Sequence, residues 1–214
     1  MKEIFPGVFR LNSEIATENS LVGFRVYGEK LLRKNGKEFR VWDPYRSKLA
    51  AGILNGLKFF PISKRTNVLY LGASSGTTAS HIADITKGFV FCVEFSSRMM
   101  QELIQICEKR KNMVPIFADA NKPEQYTFVS LVDLLYQDIS QKNQAEILLK
   151  NSEYFMPEYA MLAIKARSIN SIQEPKEIFN QEIDKLKSKF QVLEIIDLRP
   201  YDKDHVLVNL KLKR

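Results

Sequence analysis

From residue 67 onward, short apolar runs alternate with amphipathic segments, and this alternation constrains the fold more than any other feature of the sequence. The run NVLYL at 67–71 is almost wholly apolar, which is typical of a strand covered on both faces. The segments between such runs repeat apolar residues every three or four positions, as helices do. Regular alternation predicts right-handed crossovers, and therefore a mostly parallel, doubly wound sheet of the Rossmann-like α/β class.

The same pattern gives the bounds of the expected elements. Strands are expected at 67–71, 89–95, 113–118, 131–136 and 159–166, and helices at 77–86, 97–111, 144–155 and 176–189. The last two runs, Gln191–Leu198 and His205–Leu212, are separated by turn residues and predict an antiparallel pair. Residues 65–214 are therefore predicted to form one α/β domain.

Residues 1–64 have a different pattern and predict a small β-rich domain with a linking helix. The β-like runs in this part are 4–11, 21–27, 31–34 and 37–42. Asn35-Gly36 lies between the last two runs and predicts a tight hairpin, because both residues tolerate positive φ. Leu49, Ile53 and Leu57 follow at four-residue spacing and predict a helix over residues 47–60.

The positive charge is concentrated in this amino-terminal part. The chain has 32 Lys and Arg against 25 Asp and Glu, a formal charge of +7, and residues 1–64 hold 12 basic and 6 acidic side chains. Seven of the cations lie between Lys30 and Lys48, interleaved with Phe39, Trp42 and Tyr45. That pattern is typical of a polyanion-binding surface. A hairpin with ordinary solvated lysines explains it equally well.

Composition excludes several other classes of protein. A hydrophobic share of 45% and a charged share of 27% are typical of a soluble globular chain. No run approaches the ~20 apolar residues of a membrane span, and the first ten residues lack a signal-peptide run. Cys92 and Cys107 have no CxxC spacing, so we expect neither a disulfide nor a metal site. An intracellular, reduced protein is expected.

Small or polar residues follow five of the expected strands, where a doubly wound sheet binds ligands. The loop GASSGTT at 72–78 is neither a P-loop nor GxGxxG. Its small residues let the backbone approach a ligand, although a tight strand–helix turn would need the same residues. Glu94 can accept both hydroxyls of a ribose, Asp119 can meet an adenine amine, and Asp138 and Lys165 follow the next two strands. Acids without phosphate-binding residues favour S-adenosylmethionine over NAD or ATP.

Long motifs occur in order along nearly the whole chain. They are FRVWDPYRSKLAAGI (39–53), NVLYLGASSGTTASHIADI (67–85), VEF (93–95), ADANKP (118–123), DISQKNQAEILLKN (138–151), AIKARSI (163–169) and DKDHV (202–206). On these motifs the sequence resembles the fibrillarin family, the methyltransferases of box C/D guide-RNA particles. It departs from the family pattern at Ser74, at Ile139-Ser140 and in the short segment 156–160, which affects loop packing more than polar groups.

The resemblance implies transfer of a methyl group from S-adenosylmethionine to ribose 2′-hydroxyls in rRNA, and in archaea also in tRNA. It implies a Rossmann-like methyltransferase domain with a small amino-terminal β domain. The cofactor contacts that it implies are Gly72, Ala73, Thr77, Thr78, Glu94, Phe95, Asp119, Ala120, Asp138, Ile139, Ser140 and Gln141. The catalytic residues that it implies are Lys48, Asp138, Lys165 and His205.

The family also works with partners, and the resemblance implies the same for this chain. They are a Nop-domain scaffold protein, a kink-turn-binding ribosomal-type protein, a box C/D guide RNA and the substrate RNA, and no membrane is involved. Because the sequence has no Gly/Arg-rich amino-terminal segment, it resembles the short archaeal type. The expected location is then cytoplasmic, whereas a eukaryotic member would be nucleolar.

The implied catalytic residues suit the reaction. A ribose 2′-hydroxyl is a weak acid and must lose its proton as it attacks the sulfonium methyl. A buried lysine beside a second cation gives up its proton more easily, so Lys165 is expected to take the proton or to stabilise the oxyanion. Lys48 would supply the second charge and position the sugar. Asp138 would orient the lysine and lie near the positive centre of the cofactor, and His205 would orient the reacting group or the substrate.

Other interpretations remain open from the sequence. Taken alone, Lys48 is more often a solvated helix lysine and His205 a structural turn residue, while His81 and the Met99-Met100 pair are expected to be structural. The protein could methylate a protein glutamine side chain, or serve as an inactive structural component of an RNA particle. A NAD-linked oxidoreductase is the remaining option at the level of the fold.

Overall fold

A computed structural model describes residues 1–213, and its amino-terminal part is a five-stranded antiparallel sheet. The strands follow the order β1-β2-β3-β5-β4 and are β1 (Lys2–Phe5), β2 (Val8–Leu11), β3 (Glu14–Glu18), β4 (Leu31–Lys34) and β5 (Lys37–Trp42). Asn35 and Gly36 both have positive φ and close the β4–β5 hairpin, which confirms the predicted turn.

Three details of this sheet differ from the prediction. Residues 4–11 form two strands rather than one, because Gly7, with a φ of 74°, helps to reverse the chain between β1 and β2. Residues 21–27 are irregular, and the backbone N–H groups of Val26 and Tyr27 donate to the Glu29 carboxylate instead of to another strand. Strand β3 is missing from the prediction because its sequence EIATE carries a carboxylate at each end.

The second sheet has seven strands in the order β11-β12-β10-β9-β6-β7-β8. The elements of this part are α1 (Lys48–Leu54), β6 (Val68–Leu71), α2 (Thr77–Ile85), β7 (Val90–Glu94), α3 (Ser97–Lys109), β8 (Met113–Phe117), β9 (Leu134–Gln137), α4 (Gln144–Phe155), β10 (Tyr159–Lys165), α5 (Ala166–Ile169), α6 (Pro175–Leu186), β11 (Phe190–Asp197) and β12 (His205–Leu212). Strands β6 to β10 pair in parallel, and β12 is antiparallel to both β10 and β11. The predicted doubly wound sheet and its antiparallel pair are confirmed.

Several element boundaries differ from the prediction, and two of them lie at residues with a positive φ. Helix α1 ends at Leu54 instead of residue 60, since Asn55 caps it and Gly56 follows with a φ of 97°. Strand β9 begins only at Leu134, because Leu131 is exposed and has a φ of 54°. The winding reverses between β6 and β9, so a ligand crevice is expected at the carboxyl ends of these two strands.

A buried ionic network joins the two sheets through helix α2. Arg40 on β5 is fully buried and contacts Glu29 Oε1 at 2.5 Å and Asp84 Oδ2 at 2.7 Å. Asp84 also pairs with Arg110, whose side chain is likewise buried. Buried charges are stable only when paired in this way, so the network fixes α2 against the amino-terminal sheet.

The prediction of a polyanion surface over residues 30–48 is therefore wrong for its central members. Arg40 points into the network, and Phe39 and Trp42 lie in the core. The Trp42 ring stacks on His81 with 4.7 Å between centroids. Burial, together with Arg40 and Arg110, lowers the pKa of His81 well below its ordinary value. His81 is structural, as expected.

The sequence predicts no membrane span, no metal site and no disulfide. Over residues 1–213, no helix is long and apolar enough to cross a membrane. The same residues contain no group of three or more His, Cys, Asp or Glu side chains placed to hold a metal ion. Cys92 and Cys107 are both buried free thiols.

Candidate active site

The glycine loop after β6 lies directly against the end of β9. Gly72 has a φ of 80°, and a Cβ at this position would lie 2.8 Å from the carbonyl oxygen of Asp138 and from Ile139 Cγ2. The Asp138 N–H in turn donates to the Leu71 carbonyl at 3.0 Å. Gly72 is therefore required by the close approach of two strand ends, and the approach creates the floor of a crevice.

A cavity of about 360 Å³, here called the larger cavity, opens between this loop and the ends of β7 and β9. The predicted cofactor residues that line it are Gly72, Glu94, Phe95, Ala120, Asp138, Ile139, Ser140 and Gln141. Lys165 also reaches this cavity, and so does Met99. Met100 of the pair faces the core, whereas Met99 is half-buried and lines the cavity.

The Glu94 carboxylate is oriented by backbone donors on both sides of the larger cavity. Its Oε2 accepts the Ser74 N–H at 2.8 Å, and its Oε1 accepts the N–H groups of Phe95 at 2.9 Å and Ser96 at 2.7 Å. Oε1 thus accepts from two donors and Oε2 from one, so Oε2 keeps a lone pair that no described donor uses. The carboxylate is fixed in place and still able to accept from a bound sugar at Oε2.

Asp119 and Thr78, two further predicted cofactor residues, do not line the larger cavity. The Asp119 carboxylate accepts hydrogen bonds from the backbone and side chain of Asn121 at 2.9 and 3.0 Å, while Ala118 and Ala120 on either side line the cavity. Thr78 is buried, and its hydroxyl donates to Ser47 Oγ at 2.9 Å. Since Ser47 caps α1, Thr78 positions the helix that carries Lys48.

A second opening, here called the smaller cavity, has a volume of about 230 Å³ and adjoins the larger one. The two cavities share Gly72, Ser74, Asp138 and Lys165. Of these two cavities, only the smaller one is lined by the predicted cofactor residues Ala73, Thr77 and Thr78 and by the cations Arg46 and Lys48. A ligand in the larger cavity and a second ligand in the smaller one would therefore meet at Asp138 and Lys165.

The four predicted catalytic residues are brought together at this junction. Lys165 Nζ lies 2.7 Å from Asp138 Oδ1, and Lys48 Nζ lies 3.4 Å from the same oxygen. Lys165 also donates to Ser140 Oγ at 3.0 Å. His205 stands opposite Lys165 in the antiparallel register of β10 and β12. Sheet register thus joins residues that are distant in sequence.

One acidic residue of this group is absent from the predicted set. Asp202 Oδ2 lies 3.4 Å from Lys48 Nζ, and Asp202 Oδ1 lies 2.8 Å from His205 Nδ1. The signal that could have found it is its place in the DKDHV motif, three residues before His205. The complete set is a row of alternating charges from Lys165 through Asp138 and Lys48 to Asp202, and the His205 ring lies against Asp202 at the end of the row.

The electrostatics of the row keep its central groups ionised. Burial raises the pKa of Asp138, but the ammonium groups of Lys165 and Lys48 outweigh burial and hold that pKa below its ordinary value. Burial lowers the pKa of Lys48, but Asp138 and Asp202 outweigh it and raise that pKa above the ordinary value. At neutral pH a carboxylate therefore lies between two cations at the junction of the cavities.

Comparison with known proteins identifies the family. A sequence model of the fibrillarin family matches residues 1–214. The chain belongs to the fibrillarin family. A protein of Methanopyrus kandleri named fibrillarin-like rRNA/tRNA 2′-O-methyltransferase is 55% identical over 197 residues, which is 89% of this chain and 85% of the relative.

Solved structures of the fibrillarin family agree with the fold. Aeropyrum pernix fibrillarin, crystallised with natively bound S-adenosyl-L-methionine, superposes with a TM-score of 0.87 at 42% identity, covering 95% of this chain and 92% of that one. Fibrillarin from a complex with Nop5p gives 0.92 at 39% identity, covering 99% and 100%. These matches confirm the fibrillarin resemblance and the Rossmann-like methyltransferase fold with its amino-terminal sheet.

The larger cavity suits S-adenosylmethionine on chemical grounds. The fixed Glu94 carboxylate can accept from a hydroxyl of a ribose, and Phe95, Met99 and Ile139 supply apolar walls for a base. The Asp138 carboxylate offers a negative charge toward a positively charged sulfur. Lys165 is the single cationic side chain among the residues described as lining the cavity, whereas a site for a di- or triphosphate would need several donors to phosphate.

Proposed function

We propose that this protein transfers the methyl group of S-adenosylmethionine to ribose 2′-hydroxyls in pre-rRNA and tRNA, as the catalytic subunit of a box C/D guide ribonucleoprotein. The observation that carries the proposal is the Lys48–Asp138–Lys165 ion cluster, with distances of 3.4 and 2.7 Å, at the junction of two cavities. The names of the Methanopyrus and Aeropyrum relatives support the reaction and the cofactor.

In this proposal the larger cavity holds the cofactor. Glu94 accepts from a ribose hydroxyl, Asp119 lies on the adenine side, and residues 138–141 form the wall next to the methionine portion. When bound, S-adenosylmethionine supplies an electrophilic methyl group on a positively charged sulfur. Gly72 allows the cofactor to lie close to the backbone of the loop.

The smaller cavity takes the target ribose, and Lys48 and Lys165 act on its 2′-oxygen. The 2′-oxygen bonds to the methyl carbon as the carbon–sulfur bond breaks, the hydroxyl proton passes to solvent water, and the neutral thioether S-adenosylhomocysteine leaves. Two ammonium groups held by one carboxylate stabilise the negative charge that develops on the oxygen. The nearest charged group to Lys165 is the Asp138 carboxylate rather than a bare cation. Stabilisation of the oxyanion is therefore the role of Lys165 that we favour over removal of the proton.

Partner proteins and a guide RNA supply the choice of target. A Nop-domain scaffold is supported by the fibrillarin/Nop5p complex, whose fibrillarin chain is matched over its full length. A kink-turn-binding protein and a box C/D guide RNA complete the particle, and the modest charge of +7 agrees with RNA held mainly by partners. We place this activity in the cytoplasm, as the archaeal-type resemblance implies.

The proposal is tested with labelled S-adenosylmethionine and a short RNA, using the protein alone and in the complete particle with a matching guide. We expect methylation of the single nucleotide that the guide specifies, and none when that nucleotide is 2′-deoxy. Cofactor binding without RNA methylation in the complete particle would contradict the proposal. A protein glutamine side chain would then be the next acceptor to test, and an inactive structural role would follow if that failed as well.

A further inference from the structure

We propose that Asp202 is a positioning residue of this active site, which orients the ring of His205 through Nδ1 and shares the Lys48 ammonium with Asp138. Asp202 lies in the turn between β11 and β12, where its backbone N–H donates to the Leu198 carbonyl at 3.0 Å. The effect of Asp202 on turnover rests on the proposed function, whereas its effect on His205 and Lys48 does not depend on that function.

The two oxygens of Asp202 contact different partners. Oδ1 lies 2.8 Å from His205 Nδ1, and Oδ2 lies 3.4 Å from Lys48 Nζ. The side chain is about one third exposed, at 31%, so water can compete with both contacts only in part. One carboxylate thereby bridges the helix that carries Lys48 and the strand that begins with His205.

The surroundings of His205 Nδ1 determine where its ring proton lies. Besides Asp202 Oδ1, this nitrogen lies 2.6 Å from the Lys203 carbonyl oxygen. Carboxylate and carbonyl oxygens only accept hydrogen bonds, so Nδ1 must carry the proton. Nε2 has no hydrogen-bond partner among residues 1–213, and in the neutral ring it is the free acceptor. An acid behind one ring nitrogen commonly orients the other in this way.

The second role of Asp202 follows from the crowding at Asp138. Lys165 and Lys48 both contact the same oxygen, Asp138 Oδ1, at 2.7 and 3.4 Å. Without Asp202, two cations would share a single carboxylate. With it, each ammonium has a carboxylate, and Lys48 is held between two of them.

Other charged groups near this turn are engaged elsewhere. Asp204 pairs with Arg167 at 3.1 Å, and Arg199 pairs with Asp197. Lys203 contributes its backbone carbonyl to His205. Burial raises the pKa of Asp202, but His205 and Lys48 outweigh burial and hold the pKa below its ordinary value. Asp202 is therefore an anion at neutral pH.

The first test reads the His205 tautomer directly. The chain has two histidines, His81 and His205, so a ¹⁵N-histidine NMR spectrum of the full-length protein, recorded where the rings are neutral, contains two pairs of ring nitrogens. We expect a protonated Nδ1 and a bare Nε2 for His205 in the parent protein. Because the Lys203 carbonyl still accepts from Nδ1 in Asp202→Ala, the tautomer should persist, but the Nδ1 signal should shift and its proton should exchange faster with water. The His81 signals should stay unchanged and confirm folding.

The second test follows turnover in the complete particle as a function of pH. Asp202→Ala removes one of two carboxylates that raise the pKa of Lys48, so the alkaline limb of kcat should move to lower pH. We expect kcat to fall about tenfold at neutral pH with the RNA KM within about twofold, which indicates a loss felt in the transition state. Asp202→Glu, which keeps a carboxylate at this position, should restore part of the lost kcat.

Asp204→Asn is the matched control, because it removes the neighbouring acid of the same turn and leaves the row of charges intact. Its φ of 59° suits asparagine equally well, and we expect both readouts to match the parent protein. Unchanged His205 signals and an unchanged alkaline limb in Asp202→Ala would overturn the proposal. If the parent particle methylates no RNA, the proposed function fails, and the His205 signals still decide the role of Asp202.

Discussion

Replacing Gly72 by alanine tests whether the close approach of β6 and β9 builds the cofactor site. The new Cβ would lie 2.8 Å from both the Asp138 carbonyl oxygen and Ile139 Cγ2, so the backbone must shift. Strain at a φ of 80° adds about 1–2 kcal/mol, and overpacking adds about 1–3 kcal/mol. We expect the free energy of unfolding to fall by about 2–5 kcal/mol.

The same shift displaces Asp138, so Gly72→Ala should also weaken S-adenosylmethionine binding by about tenfold or more, a loss of ~1.4 kcal/mol. Urea unfolding and titration calorimetry measure the two effects. Gly56→Ala is the matched control, because Gly56 has a φ of 97° with no atom within 4 Å of an added Cβ. Gly56→Ala should lose only the ~1–2 kcal/mol of unfolding free energy that the positive φ accounts for. If Gly72→Ala were as stable as Gly56→Ala and bound the cofactor normally, the packing argument would be refuted.

Three further predictions concern charges. Lys165→Ala should lower kcat by about 10²–10³-fold and change the cofactor affinity by no more than a few-fold. Lys165→Arg should recover activity if the role of Lys165 is electrostatic, since arginine keeps the charge but cannot take the proton. An equal loss of kcat in both variants would instead favour proton removal by Lys165. Asp84→Asn should lower the free energy of unfolding by about 3–5 kcal/mol in urea melts, because Arg40 and Arg110 lose their shared partner. Asp43→Asn, which removes the carboxylate of the partly exposed pair with Arg46, should lower it by under ~1 kcal/mol. Similar losses in the two variants would contradict the role of the buried network. Because the folded state lowers the pKa of Asp138, this carboxylate stabilises the fold at pH values above the ordinary carboxyl pKa near ~4, and the stabilisation is lost as the pH falls through the lower folded pKa. Below about pH 4 the parent protein should therefore lose stability more steeply than Asp138→Asn. Parallel acid-unfolding curves of the two proteins would count against the ion cluster.

The elements that the sequence predicts well are those with a local signal. Apolar runs ending in a polar residue predict both the parallel strands and the location of Asp138 and Lys165 at their ends. Pairs that depend on the tertiary arrangement give no such signal. Nothing local distinguishes the buried Arg40 from the exposed cations of the same hairpin, because its partner Asp84 is 44 residues away. Asp202 is likewise an ordinary turn acid until β12 pairs with β10.

Helix α2 begins at the glycine loop and carries, on its other side, the acid that joins two arginines. A substitution on either side of α2 therefore affects the position of the whole helix, and so affects both the ionic network and the glycine loop. Loss of Asp84 leaves Arg110 buried without a paired carboxylate and leaves Arg40 with Glu29 alone, so a neutral residue at 84 is tolerated only in lineages where an arginine has also been replaced. We expect these three positions to change together across related sequences, with the small amino-terminal sheet and the cofactor loop inherited as one unit.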